Sequence, residues 1–398
     1  MHQDMNELST ITSNGAFMTN KIILILGGYG NTGQLLARLL LQETDVQLML
    51  AGRNIGKAKV AASQLNSLIK ENRVTGVYAD ASDSASLKQA CKDVDLLVVA
   101  SSTAKYAKEV AQAALESGID YLDIQYSTKK TVLLKSMSEE VQKAGCCYIT
   151  DCGFHPGLPA VLIRYVAQHF DHLEKAIVGS VIKMDWKSLS LSESTANEFM
   201  EEVSDFDTLF FKDGKWKKAR MFGMMDYISM DFGQEFQKQY CMPMFLEEMR
   251  NIPEMYPSLK ETGFFVGGFN WFVDWVVFPL GIIALKIWPE RALKPMGKLM
   301  TWGLNTFSKP PYGTLLKVEA YGEKDGTNKS MDVTIYHKDG YLLTAIPVAA
   351  CLLQYLDGSI KKAGLWTQAN IVEPNRFMKD MKRLGINIQI QDQRSNSI

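Results

Sequence analysis

One short stretch limits this chain more than any other. Gly28-Tyr29-Gly30-Asn31-Thr32-Gly33 fits G-x-G-x-x-G, and it sits between the apolar run KIILIL (21–26) and the helix-patterned GQLLARLLLQ. Taken alone, the glycine spacing is weak. Between a buried strand and a helix it predicts a dinucleotide-binding turn. The first glycine allows the tight turn, the second lets a pyrophosphate approach the backbone, and the third packs helix on strand. The helix start then offers unpaired N–H groups to phosphate.

The rest of the first 150 residues agrees with that turn. Apolar runs VQLMLA (46–51), VTGVYA (74–79), DLLVVA (95–100), IDYLDI (119–124) and CCYITD (146–151) alternate with helical patterns. In AKYAKEVAQAALESG, for example, Ala104, Ala107, Val110, Ala111 and Ala114 share one helix face. Continuous apolar strands joined by helices indicate a parallel sheet covered on both faces. The expected fold class is α/β: a doubly wound Rossmann sheet with a second, inserted α/β domain built on a mixed sheet. The expected boundaries are a loose polar tail over 1–20, the Rossmann domain over 21–155, an inserted substrate or dimerisation domain over 156–340, and C-terminal helices over 341–398 that return to the first domain.

The cofactor is read at the end of the second strand. An NAD enzyme places Asp or Glu about 20 residues after the glycines to hold the ribose hydroxyls. Here Arg53 stands 20 residues after Gly33, followed by Asn54, and no carboxylate occurs between Val46 and Asn66. A guanidinium pairs with a 2′-phosphate, so the expected cofactor is NADP(H). Asp80 follows the third strand, where it either contacts the adenine amine or only holds a turn. Ala100, Ser101 and Ser102 end the fourth strand, and their small side chains leave room for a ligand beneath.

Composition closes off other classes. Lys+Arg 43 against Asp+Glu 44, with no long basic run, excludes a nucleic-acid binder. Six Cys without C-x-x-C give neither a zinc site nor a disulfide framework, so no metal is expected and a reducing, cytoplasmic setting is. Tyr126 and Lys130 match Y-x-x-x-K, but with 15 tyrosines such a match arises by chance, and Ala113 stands where the short-chain dehydrogenases need Ser.

Beyond the sixth strand, Asp151-Cys152-Gly153-Phe154-His155-Pro156-Gly157 makes a rigid turn into the helix pattern AVLIRYVAQHF. Strand patterns lie at 174–186 and 314–338, a buried helix at 341–357 and an amphipathic one at 373–385. GGYGNTG, AGRN, YLDIQ, DCGFHPG, EAYGEKDG, GYLLTAIP and a closing helix ending in Leu384-Gly385 follow in this order. Together they resemble the saccharopine dehydrogenase (saccharopine reductase-like) family of NADP-dependent oxidoreductases over most of 21–390. The resemblance implies a Rossmann domain, an inserted α/β domain whose sheet often mediates dimerisation, and a cofactor in the cleft. Against the family's E-C-G-L-D-P-G-like turn, Cys152 and Gly153 match, Asp151 replaces Glu, and Phe154 and His155 replace Leu and Asp. Asp123 matches the Asp of the Y-x-D strand end.

Hydride transfer at C=N or C=O needs a proton donor or acceptor nearby. The catalytic candidates are His155, which titrates near neutrality when unperturbed, Asp123 and Cys152. Each has a plainer reading: a capping His, a loop-holding Asp, a small buried thiol. The expected activity is an NADP(H)-dependent oxidoreductase acting on a small metabolite, in a homodimer. The alternatives are a membrane-associated lipid reductase and a non-catalytic NADPH-binding regulator. The lipid alternative comes from 263–288, GFFVGGFNWFVDWVVFPLGIIALKIW. Phe264 to Leu285 would span a bilayer as one helix, yet Asp274 sits in the middle. The expectation is burial within the protein or a dimer, with peripheral membrane contact as the alternative, since Trp271, Trp275, Trp288 and the following Lys286, Arg291, Lys294 and Lys298 are distributed like interfacial anchors.

Overall fold

A computed structural model describes residues 21–189, 200, 207–220 and 226–394. The expected tail 1–20 and Met221, Met224 and Met225 of the methionine-rich run lie outside the described residues. Sixteen strands appear among the described residues. In the first domain these are β1 (Ile22–Leu26), β2 (Gln47–Gly52), β3 (Val74–Tyr78), β4 (Leu96–Val99), β5 (Asp120–Asp123) and β6 (Cys147–Thr150). The second domain adds β7 (His172–Lys183), β8 (Leu209–Lys212), β9 (Lys215–Lys218), β10 (Ile228–Asp231), β11 (Lys238–Pro243), β12 (Glu261–Gly267), β13 (Gly313–Lys324) and β14 (Thr327–His337). The chain ends with β15 (Gly364–Thr367) and β16 (Asn387–Arg394).

The first sheet runs β3-β2-β1-β4-β5-β6-β15, and its pairs are parallel. The chain reverses its winding between β1 and β4, so the carboxyl ends of those two strands open a crevice, the place where ligands bind in such sheets. The strands are apolar throughout because helices cover both faces. Ile23, Ile25, Leu48 and Leu50 pack to one side with Leu36 and Leu40 of helix Asn31–Glu43, and Leu24, Leu97 and Val99 to the other with Val110 and Ala114 of helix Ala107–Glu116.

The second sheet is mixed. Its main path is β10-β11-β12-β7-β13-β14-β16, with β8 paired to β12 and β9 to β8. β7 and β12 are parallel, while β13 and β14 form a long antiparallel hairpin. Asp325 and Gly326 both have positive φ (53° and 71°) at its tip, the two-residue turn that matches strand twist. Helix Leu158–Ala167, running directly from the sixth strand's turn, packs on β7 and β13. It joins the two domains through one continuous core.

Two expectations change in detail. The expected burial of 263–288 within the protein holds for its start, while Trp271, Trp275 and Trp288 are exposed. That start lies inside β12 at the centre of the mixed sheet, with Phe264 and Phe265 buried, and helical structure begins only after Asn270. No helix among the described residues is long and apolar enough to cross a membrane. The C-terminal segment is not purely helical. The expected helices are Gly340–Leu356, packed on Asn31–Glu43, and Pro374–Arg383, whose Arg383 pairs with Glu43. Around them, β15 completes the first sheet and β16 the second.

Candidate functional site

The glycine turn is built almost wholly from backbone. The N–H of Gly27 donates to Ala51 O at 2.8 Å, and that of Gly30 to Gly27 O at 2.8 Å. A Cβ on Gly33 would lie 2.3 Å from Gly27 O, so helix Asn31–Glu43 can start there only with glycine. At Gly30 the same test finds a single neighbour, Gly27 O at 3.1 Å, and open space otherwise. That helix has no side-chain cap and no acidic residue in its first turn. Its leading N–H groups, around Asn31 and Thr32, are therefore left for an anion. The turn has the shape and polarity that a pyrophosphate needs.

Three other elements converge on it. Ala100 and Ser101 at the end of β4 lie against Gly27, where an added Cβ would be 2.6 Å from Ala100 O and 2.7 Å from Ser101 Cβ. Ser102 is exposed beside them. The Tyr29 ring packs on Gly52, and its hydroxyl accepts from the Asn54 N–H at 3.2 Å. Asn54 in turn caps helix Ile55–Ile69, its Oδ1 accepting from Lys57 N at 3.0 Å. Arg53 is exposed at the mouth. Asp80 faces that guanidinium and accepts from Ser82 N and Oγ at 2.9 and 2.8 Å. The Ser82 bonds first, then the nearby Arg53 charge, hold its carboxyl below the ordinary range. The structure thus gives Asn54 and Asp80 local structural bonds while leaving Arg53 directed at solvent.

The turn after β6 is assembled differently. Lys130 is fully buried and places Nζ 2.6 Å from Asp123 Oδ1 and 2.8 Å from Asp151 Oδ1, with the Gln125 carbonyl as a third acceptor. Burial alone would pull the ammonium's pKa down, but the two carboxylates outweigh it and hold it above its ordinary value. One ammonium cannot neutralise both carboxylates, and burial pushes the Asp151 carboxyl up. Asp123 Oδ2 accepts from Thr150 Oγ1 at 2.7 Å, so both its oxygens are engaged. Lys130, matched to Tyr126 by spacing alone, is a structural cation.

Glu248 reaches this turn from the second domain. Fully buried, it accepts from Gly157 N at 2.6 Å and Ala160 N at 3.0 Å, and so occupies the start of helix Leu158–Ala167. Burial pushes its carboxyl up to about 8 against those two bonds. Gly157 has φ of 123°, and a Cβ there would lie 2.6 Å from Gln368 Nε2. Gln368, from beyond β15, accepts from Gly153 N at 3.2 Å. Gln125, just after β5, donates from Nε2 to Ser101 O at 2.6 Å and ties the β5 end to the β4 end. None of Lys130, Gln125, Glu248 and Gln368 carries a sequence signature for this role. They meet only through the fold.

His155 and Cys152 differ in their surroundings. The Cys152 thiol is buried, aims at Ile149 O and Thr150 O, and burial raises it well above its ordinary value. It has the character of a packed apolar group. The ring of His155, a half-buried residue, lies between Phe154 and Phe264, with centroids 4.1 and 5.6 Å away. Its Nε2 is shielded from solvent and bonds none of the described residues. Burial pushes its pKa down to about 4.

Residues 23–146 match the model of the saccharopine dehydrogenase NADP-binding domain. Apo saccharopine dehydrogenase (L-Glu forming) from Saccharomyces cerevisiae superposes with a TM-score of 0.68 at 16% identity, covering 94% of this chain and 100% of that one. A mutant meso-DAPDH from Clostridium tetani E88 gives 0.44 at 14% identity over 89% and 95%. A comparison with curated protein sequences gave no match. The first domain is a saccharopine dehydrogenase NADP-binding domain, and the chain that carries it is an NADP-dependent oxidoreductase with the saccharopine dehydrogenase fold.

Proposed function

We propose that this oxidoreductase moves a hydride to or from a C=N or C=O carbon of a small metabolite held between the ends of β4–β6 and the 151–157 turn. The observation that carries the reading is His155. A buried imidazole nitrogen without a partner is costly, and it stands on a turn that Lys130, Glu248 and Gln368 lock from three directions. When bound, NADP(H) supplies or accepts the hydride. Gly28, Tyr29, Gly30, Asn31, Thr32 and Gly33 would hold its pyrophosphate, Arg53 its 2′-phosphate, and Ala100–Ser102 the floor beneath it. His155, neutral at physiological pH, hydrogen-bonds the substrate heteroatom and takes its proton as hydride leaves the carbon; in the reverse direction the imidazolium returns that proton. Asp123 and Lys130 hold the turn in place, and Cys152 packs beneath it.

One observation favours a second reading, a lipid-borne substrate. Phe264, beside His155, belongs to the strand that runs directly into the aromatic segment 269–288. A screen of NADPH oxidation against keto acids with amines, and against lipid ketones and enoyl groups, separates the two. With the substrate found, His155→Ala lowers turnover by about 10²–10⁴-fold while cofactor affinity holds. Full turnover in that variant would return His155 to a packing role.

A further inference from the structure

Residues 270–308 leave the mixed sheet and return to it as a closed excursion. Asn270 roots both ends: its Oδ1 accepts from Phe272 N and Val273 N at 3.1 and 3.0 Å, and its Nδ2 donates to Ser308 Oγ at 3.1 Å. Between them a π-helical turn (Val273–Val277) runs into helix Phe278–Ile287, and helix Pro289–Phe307 packs back on it. The packing is close, since a Cβ on Gly303 would meet Phe272 at 2.6 Å. Val273, Val277, Leu285, Met300 and Leu304 fill the inner face.

The outer face is apolar where a solvent-facing helix should be polar. Trp271 (59% exposed), Trp275 (42%), Leu280 (49%) and Ile287 (57%) are exposed in a row along the chain, and Trp288 (58%) closes the tip; the Trp275 ring lies 6.1 and 6.2 Å from those of Tyr227 and Tyr240. That row is about 26 Å long at helical rise. The returning helix presents Arg291, Lys294, Lys298 and Trp302 at successive turns, all exposed, with Lys286 next to the tip. Glu290 is the one exposed carboxylate within 271–308. Exposed large apolar side chains together with exposed cations on one short helical hairpin are the pattern of an element that lies in a bilayer interface, rings among the acyl chains and cations at anionic headgroups.

We propose that this rooted hairpin docks the protein on an anionic lipid surface, lying on the membrane rather than crossing it. Charge decides between a bilayer and a second copy of the chain. A two-fold contact through this face would bring the same cationic row near itself, and like charges oppose such pairing. An anionic bilayer complements it. The inference holds whichever substrate the reductase takes.

Flotation of the full chain with vesicles tests it, using phosphatidylcholine alone and phosphatidylcholine with phosphatidylglycerol. The wild type is expected to float with the anionic vesicles and little with the neutral ones. Ile287→Asp with Trp288→Asp, and separately Lys294→Glu with Lys298→Glu, should each lower the bound fraction by about tenfold or more. All four positions are exposed, so melting temperature should not move. A wild type that floats with neither vesicle, or variants that float as well as it does, would overturn the proposal. So would a dimer in solution, without flotation, that Trp288→Asp dissociates, since it would assign the face to a second copy.

Discussion

Two turns leave the same sheet at the same edge, yet they hold their shape by opposite means. The turn after β1 is held by backbone bonds and by the absence of side chains, and so it stays open towards a ligand. The turn after β6 is held by side chains brought from far away: Lys130 beneath it, Glu248 across its helix, Gln368 at its glycine. The difference teaches where each is fragile. The first loses its shape when an atom is added, the second when an atom is removed.

The largest effect should come from removing the buried cation. Lys130→Met leaves Asp123 and Asp151 facing each other uncompensated, a change worth about 3–5 kcal/mol. Thermal unfolding should show a large drop in melting temperature; a drop of a degree or two would mean that the turn is not held by charge. Glu248→Ala comes next. It orphans the N–H groups of Gly157 and Ala160, at about 2–3 kcal/mol in urea unfolding, and Glu248→Gln should recover part of this by keeping one acceptor. Equal losses in both variants would point to packing instead of hydrogen bonding.

The β1 side responds in binding, not in stability. Arg53→Ala should weaken NADPH binding by about tenfold or more, from a charge-assisted bond of about 1.5–3 kcal/mol, with little change for NADH. Equal wild-type affinities for both cofactors by calorimetry would break that assignment. The smallest effect is a pH dependence. His155 has a folded pKa near 4, below its unfolded value of 6.5. Between those values the unfolded chain binds the proton that the folded one refuses, so stability falls as pH drops from about 6.5 towards 4. His155→Gln should flatten that window by roughly 1 kcal/mol at pH 5. An unchanged slope would show that the ring is better solvated than its surroundings suggest.

What could be read beforehand follows from the same contrast. The glycine turn, Arg53 and the six leading strands are encoded within short windows, because periodicity and spacing are local properties. Glu248 and Gln368 act on residues 91 and 215 positions away, and no window contains both partners. In the sequence Lys130 is only half of a chance pattern; its burial between two carboxylates depends on how β5 and β6 pair. Asp123 is bonded by Lys130 and Thr150, and the Cys152 thiol is packed against the Ile149 and Thr150 carbonyls, partners that only the fold supplies. In the second domain, Asp213-Gly214 is a legible hairpin signal between β8 and β9, with φ of 54° and 74°. In 263–288 a run of apolar residues joins a central strand to a helix, and hydrophobicity alone does not separate the two.

The strand β15 has a consequence for how the chain is made. It pairs with β6, yet it follows β6 by about 200 residues, which a ribosome takes roughly 10–40 s to add. Throughout that interval β6 is the edge of a parallel sheet, with Cys147, Tyr148 and Ile149 lying along it. An unpaired apolar edge is a template for a neighbouring chain on the same message. A late-emerging strand therefore closes the nascent Rossmann sheet against its own siblings. A synthesis pause before residue 364 should raise aggregation far more than a pause after it.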